Sequence, residues 1–567
     1  DLFLLGGDLS GVQRFIYTLQ ARGAARQLRG RSLYLQLLTE AIARWVLAKI
    51  ELPTCNLLYC GGGRFYVLLP AEAEERLPAL RQYIGERLLH RHGNALFMAL
   101  GGARYVLADG SQRVWERVND ELDIDKRRRF AALDPSLLDN LLFTPRSPLQ
   151  DTGAESDTPM DALSESFVQL APQLHNIPYL LMYSVRAPDL RTAPAAIEPV
   201  SWHRVLREFR LFARPIDDLH RLRPRAHNVH LLALRDVDED QRAQAYRWLG
   251  PDGILGTRYT VTVAATATDK DVEKYRCLEL DDDGQELRVG DIKPFSLLAY
   301  QSQGIKRLGV LRMDVDDLGD LFGRRQRPTP GIGGIAVSAA LSAALSRFFE
   351  GWVGELCQRA NSSGDGGIYA VYSGGDDLFI VGSWHLLPEL AATIRKDFIR
   401  YTTAHAEHSA PPITLSAGIT LHPAKYPLYQ AAEDAHDALE ASKEYTRHNR
   451  KKDALTFLGQ TIGWEQYAEV DTLRNELYSL IKQGAPHALL MTILSLYERY
   501  RTSQKRNRFG AAQFDYGPWV WKGAYTLTRM AERSPEEIRP SVLRLRDRII
   551  SEVEGRFIER AGLAARW

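Results

Sequence analysis

Cysteine is scarce. The chain has four in 567 residues, Cys55, Cys60, Cys277 and Cys357, with no C-x-x-C pair. That argues against a disulfide framework, and no thiolate pair is present to seed a structural zinc site. An excess of one charge is also missing. Lys+Arg 72 against Asp+Glu 71 leaves a net charge of +1, so no global field draws the chain to nucleic acid or membrane, and any such contact must come from local patches. No apolar run of about 18 residues and no signal-peptide pattern is found, so we expect a cytoplasmic protein without membrane contact. The chain starts on Asp1 rather than Met, which leaves room for residues upstream. Apolar residues are not lacking. At 45% they suffice for several packed cores, and the length implies several domains.

The stretch richest in chemistry is Tyr372-Ser373-Gly374-Gly375-Asp376-Asp377-Leu378. Apolar runs lead in from Ile368 and out to Val381, the pattern of a β-hairpin whose turn carries two acids. Gly374 and Gly375 let a bulky anion approach the backbone, so with Ser373 they form a candidate nucleotide seat. Asp376 and Asp377 supply hard oxygens suited to Mg²⁺ or Mn²⁺. A solvated turn uses the same residue types, so this stretch alone leaves both readings open.

The pattern occurs twice. Tyr59-Cys60-Gly61-Gly62-Gly63-Arg64 aligns with Tyr372 to Asp377, and Leu4-Leu5-Gly6-Gly7-Asp8 aligns with Val310-Leu311-Arg312-Met313-Asp314. Two matches in the same order imply an internal duplication. In the first copy Gly63 and Arg64 replace both acids, so that turn cannot hold a metal and reads as a degenerate partner.

Around the second copy the order runs strand (Arg307 to Asp314), helix (Val337 to Leu356), hairpin, helix (Leu386 to His408), strand (Ile413 to Thr420) and helix (Leu428 to Arg447). Arg324 to Gly334 reads as a mobile loop between the first strand and helix. This order fits a ferredoxin-like palm, βαββαβ with additions. It would bring Asp314 beside Asp376 and Asp377. Converging acids repel one another and call for divalent cations. A pair of metals there would suit in-line nucleotidyl transfer, with Lys443 reaching the triphosphate.

Elsewhere the signals are weaker. Arg22, Arg26, Arg29 and Arg31 form a basic cluster that reads either as solvated surface or as a phosphate-backbone contact. Lys126 to Arg129 reads as a solvated face, and Glu279 to Gln285 as an acidic loop. Pro145 to Pro159 is a linker by composition. His436-Asp437 and the pair His405 and His408 lack the further ligands that a phosphohydrolase or a metal site needs. Tyr467 to Trp567 reads as helical, with apolar residues such as Leu473, Leu477, Leu480 and Ile481 on one face. Arg499, Arg501, Lys505, Arg506 and Arg508 form a basic patch there, facing RNA, a neighbouring small subunit or solvent.

Four motifs in order, Gly7 to Tyr17, Arg29 to Leu35, Leu308 to Gly319 and Tyr372 to Phe379, resemble the large polymerase-like subunit of type III CRISPR effector complexes, closer to the III-A branch than to III-B. The resemblance implies an α+β fold: a degenerate first palm (1–135), an α+β linking domain (136–299), a catalytic second palm (300–460) and a C-terminal helical domain (461–567). It implies target-RNA-activated synthesis of cyclic oligoadenylate from ATP in a prokaryotic antiviral complex. Asp376 and Asp377 would be catalytic and, with Asp314, would hold two divalent ions. Partners would be guide and target RNA and the backbone, small and guide 5′-end-binding subunits.

The sequence departs from the family twice. These residues include no His-Asp nuclease domain before the first palm, so cleavage of single-stranded DNA is not expected of them unless that domain lies upstream of Asp1. Cys277 stands alone where many members carry a cysteine-rich motif, so no zinc is expected. Three other readings remain: a catalytically silent scaffold, a nucleotidyl transferase that joins ATP to something else, and a diguanylate cyclase. The retained acids oppose the first. The Asp377-Leu378 pair and the long helical tail oppose the last.

Overall fold

The strand β1 (Leu2–Ser10) is buried along almost its whole length. It alternates between two apolar layers, as the period of two along a strand requires. Phe3, Leu5 and Leu9 enter one layer with the helices Ala24–Lys49 and Leu77–His92. Leu4 enters the other, with Val114, Val118 and Leu122 of the helix Ser111–Arg127. We describe these relationships from a computed structural model. It describes residues 2–18, 24–105, 111–136, 138–139, 162–184, 201–217, 219, 227–234, 237–251, 253–257, 263–278, 286–318, 333–362, 366–403, 412–447, 450–506, 517–552 and 557–567.

β1 pairs antiparallel with β3 (Arg64–Pro70) and β4 (Phe97–Tyr105), and β3 with β2 (Leu57–Gly61). The sheet order is β2-β3-β1-β4. With helices after β1 and β3, this is the expected ferredoxin-like palm. A second small sheet follows, ordered β6-β5-β7-β8, from β5 (Tyr179–Ser184), β6 (Leu211–Ile216), β7 (His227–Ala233) and β8 (Ile254–Thr257).

The chain divides into two compact units. The first comprises Asp1–Ile413 and Leu421–Ala435. Within it the second copy repeats the first. β11 (Asp377–Ser383) pairs antiparallel with β9 (Leu308–Val315) on one side and with β10 (Ile368–Gly374) on the other. A bulge interrupts β10 between Ala370 and Tyr372, and the matching bulge in β2 lies between Leu57 and Tyr59. One continuous core joins Trp45, Phe65 and Trp202 to Val310, Tyr369 and Phe379.

The expected helix from Val337 to Leu356 is broken. It runs as an α-helix (Gly333–Ser346), a wide π turn (Arg347–Trp352) and a second α-helix (Val353–Ser362). The wide turn lets the adjacent Phe348 and Phe349 both be buried, which a regular 3.6-residue period on one face does not favour. The next helix is Leu387–Thr403, and His405 and His408 lie outside the described residues, as do the linker, the acidic loop and Arg324 to Ile332.

The second unit comprises Thr414–Thr420 and His436–Trp567. Residues Ala417 to Ile419 of β12 (Leu415–His422) there run parallel to β15 (Ala454–Phe457), which pairs antiparallel with β16 (Gln460–Gly463). The helix Leu428–Glu444 stops before Arg447, which lies in a two-residue strand, β13 (Thr446–Arg447), paired with β14 (Arg450–Lys451). Five helices between Trp464 and Arg566 follow, and Leu473, Leu477 and Leu480 are buried on one face. No described helix is long and apolar enough to cross a membrane.

Candidate active site

The register of β9 and β11 sets Asp314 directly opposite Asp377. Asp376 is the last residue of the turn, and its carbonyl accepts a hydrogen bond from the Val315 amide at 3.0 Å. The turn follows from its glycine: Gly375 has φ +72 and Asp376 does not have positive φ, the signature of a II′-type hairpin. The three acids therefore gather where one strand ends and the hairpin turns.

The electrostatics follow from that crowding. The Asp377 carboxyl is pushed up to about 7, first by desolvation and then by the charges of Asp376 and Asp314. Arg312 and the Tyr372 hydroxyl oppose this rise. Arg312 is buried and lies opposite Phe379 in the same strand pair. The repeat alignment places Gly6 at that position in the first palm, so this cation belongs to the acidic copy alone. Sequence reasoning passed over it, although an arginine inside an apolar strand was a readable signal.

At the equivalent point of the first palm a base replaces one of the two acids. Arg64 lies opposite Asp8, its Nε 3.0 Å from the carboxylate, and Lys126 Nζ approaches the same carboxylate to 2.9 Å. Burial is the largest single influence on Arg64 and opposes its charge, but Asp8, Tyr66, Asp376 and Tyr59 together push the guanidinium above its ordinary range. Lys126 is thus tied to Asp8 rather than lying on an unattached solvated face. Gly62 and Gly63 have φ +59 and +80, the I′-type form of the same turn.

The other sequence candidates are placed as follows. Ser373 is fully buried, and its hydroxyl donates to the Phe349 carbonyl at 2.6 Å. Gly374 and Gly375 line the turn, and the Glu350 carboxylate lies beside Gly374. Lys443 lies in the second unit, 3.3 Å from Glu440. Of the basic cluster after the first helix, the described arginines have partners within the fold or are buried. Arg29 is buried, Arg31 donates to the Phe15 carbonyl and Arg26 pairs with Asp291. Arg22 lies outside the described residues.

The donor set consists of hard oxygen atoms under mutual repulsion, which fits a divalent cation shared with phosphate oxygens. It is not a complete cage. Among the described residues no group of three or more His, Cys, Asp or Glu is drawn together closely enough to hold an ion by itself.

Comparison with known proteins gives the architecture its place. Residues 1–142 match the family model described as Csm1 subunit domain B, and residues 307–456 match that of the Cas10/Cmr2 second palm domain. The chain carries the domains of the Cas10/Csm1 family. It is similar to proteins named CRISPR system single-strand-specific deoxyribonuclease Cas10/Csm1 of subtype III-A. That of Methanocaldococcus jannaschii is 27% identical over 82% of this chain and 60% of the relative. For Mycobacterium tuberculosis the figures are 28%, 81% and 54%, and for Streptococcus thermophilus 24%, 95% and 64%. The chain thus spans about half to two thirds of these relatives. Among solved structures, a Csm1-Csm4 cassette in complex with one ATP superposes with a TM-score of 0.66 at 19% identity, over 99% of this chain and 70% of that one. A Csm1-Csm4 cassette in complex with cA4 gives 0.64 at 20%. These likenesses show the fold. The expected relation to the large type III subunit, nearer the III-A branch, and the two-palm α+β fold are both borne out.

Proposed function

We propose that this chain synthesises cyclic oligoadenylate from ATP when its RNA-guided complex engages target RNA. The observation that carries this reading is the Asp314–Asp377 register pair with Asp376 beside it. Csm1-Csm4 structures holding ATP, cA3 and cA4 supply the chemical analogy.

In this reading Asp314, Asp376 and Asp377 would hold Mg²⁺ or Mn²⁺, and the bound ions would neutralise the phosphates and lower the pKa of the attacking ribose 3′-hydroxyl. The residues themselves orient and exclude. The Gly374-Gly375 backbone leaves room for a phosphate chain, and Arg312 keeps the acids from accumulating unopposed charge. The Tyr372 hydroxyl, 3.1 Å from the Gly374 carbonyl, holds the turn closed. We divide the chain at 135/136, 299/300 and 460/461 and assign guide RNA, target RNA and the other effector subunits as partners in a prokaryotic cytoplasm.

The test is to incubate the assembled complex with guide, target RNA, ATP and Mg²⁺ and to identify products by mass spectrometry. Adenylate rings from wild type, lost in Asp376→Ala/Asp377→Ala, are expected. No adenylate product from a complex that still binds target RNA would sink the reading.

A further inference from the structure

The two hairpin turns clasp each other through a mirrored pair of contacts. A methyl group on Gly375 would stand 2.9 Å from the Tyr59 hydroxyl, and one on Gly62 would stand 3.1 Å from the Tyr372 hydroxyl. Tyr59 and Tyr372 occupy the same position of the repeat, as do Gly62 and Gly375. Each palm's tyrosine therefore rests against the other palm's turn. Both glycines have positive φ, a conformation that only glycine adopts without strain.

The clasp is symmetric in shape but not in chemistry. Tyr372 sits on the hairpin that carries the acids, and its hydroxyl donates to the Gly374 carbonyl there. Tyr59 belongs to the palm that has lost its acids, yet Asp376 is the strongest charged influence on its hydroxyl. A Gly-Asp turn is intrinsically loose, because glycine restricts the backbone least. The Val315 amide holds the Asp376 carbonyl from β9, and the position of the turn's glycine also depends on what stands behind it. On the flank, the Glu350 carboxylate lies 3.6 Å from a methyl placed on either Gly61 or Gly374. Behind Gly375, the nearest group is the Tyr59 hydroxyl.

We propose that Tyr59, supplied by the degenerate palm, is a positioning residue for the catalytic turn: it backs Gly375 and thereby fixes the Asp376 carboxylate. The first palm is then a working half of the site despite its lost acids. Small misplacements of a catalytic group are costly, with about 1 Å able to remove on the order of 100-fold in rate. The inference rests on the reading of Asp376 and Asp377 as site acids.

The test compares Tyr59→Ala, Tyr59→Phe, Gly375→Ala and Tyr59→Phe/Gly375→Ala in the assembled complex. The readouts are kcat and KM for ATP at saturating Mg²⁺, Mn²⁺ affinity of the purified chain by paramagnetic titration, and Tm. Tyr59→Ala should lower kcat at least about tenfold with KM within about threefold and Tm nearly unchanged, the split expected when only transition-state geometry is lost. Its Mn²⁺ affinity should fall about fivefold or more. Tyr59→Phe keeps the ring and should stay within about threefold of wild type. Gly375→Ala should be damaged both by its positive φ and by the clash with the Tyr59 hydroxyl, so removing that hydroxyl in the Gly375→Ala background should recover part of the activity, a coupling that independent sites do not show. Wild-type kcat in Tyr59→Ala, or additive behaviour of the double variant, would overturn the proposal. If wild type makes no adenylate product, the functional reading fails and Mn²⁺ binding decides this one. A fivefold loss in Tyr59→Ala then supports it, and equal values, absent binding included, refute it.

Discussion

Arg64 lies directly across the strand pair from Asp8, with Nε 3.0 Å from the carboxylate, whereas the duplicated position sets Asp377 across from Asp314. One backbone arrangement thus carries an attracting pair in one palm and a repelling pair in the other. Replacing Asp377 with Asn removes a charge that its neighbours oppose, and should stabilise the metal-free protein by about 1 kcal/mol. Arg64→Asp rebuilds the repelling pair and should cost about 1 kcal/mol, since Arg64 is half-exposed and solvent screens it. Denaturant unfolding measures both. A destabilised Asp377→Asn protein would contradict the electrostatic account.

Ser373 ties the hairpin to the π turn through its bond to the Phe349 carbonyl. Ser373→Ala removes a buried hydrogen bond and should cost about 0.5–1.5 kcal/mol. If Ser373 acts through this tie alone, ATP affinity below the melting range stays at the wild-type value. A lowered ATP affinity with unchanged Tm would instead place the hydroxyl on the nucleotide.

The hydroxyl of Tyr34 lies 2.7 Å from His92 Nε2 in the first palm. Burial, and then the charge of Arg91, push His92 down to about 3. The unfolded chain therefore binds a proton that the folded one refuses between roughly pH 6.5 and 3, and stability falls with falling pH across that window. The slope from this group approaches about 1.4 kcal/mol per pH unit. Asp377, raised in the fold, contributes with the opposite sign, so the measurement belongs in the Asp377→Asn background. There, His92→Gln should flatten the profile of unfolding free energy against pH. An unchanged slope would show that His92 is not the titrating group.

The rings of Tyr17 and Phe379 meet with centroids 4.8 Å apart, joining the first palm's short helix Val12–Tyr17 to the acidic hairpin. Phe379 is almost fully buried, so Phe379→Ala should cost about 3–5 kcal/mol. Amide exchange should then accelerate in β11. Loss confined to residues of the second unit would refute this placement.

The duplication was legible because Gly-Gly turns flanked by apolar strands leave a pattern that survives the loss of the acids. Asp314 was legible as an acid at a strand's end, and its register with Asp377 follows from the palm order. Tyr59, Arg312 and Glu350 were not read as site residues. Their roles depend on which face of one element meets another, and a single chain's spacing does not encode that. Arg29 misled because a cationic side chain beside glycine reads as surface, whereas the apolar face of a long helix carries it inside. The break at Arg347–Trp352 was hidden because a π turn changes the period without changing composition.

The bulged hairpin and the strand that completes the site differ in when they can form. Tyr372 and Phe379 pair across a tight turn, a local event on the order of microseconds. Asp314 must reach Asp377 across about sixty residues of chain, and closing that loop costs entropy before any contact repays it. The repulsion between these acids is met only at that late docking step. The candidate site should therefore complete after its own hairpin, and divalent ions present during refolding should speed that docking step.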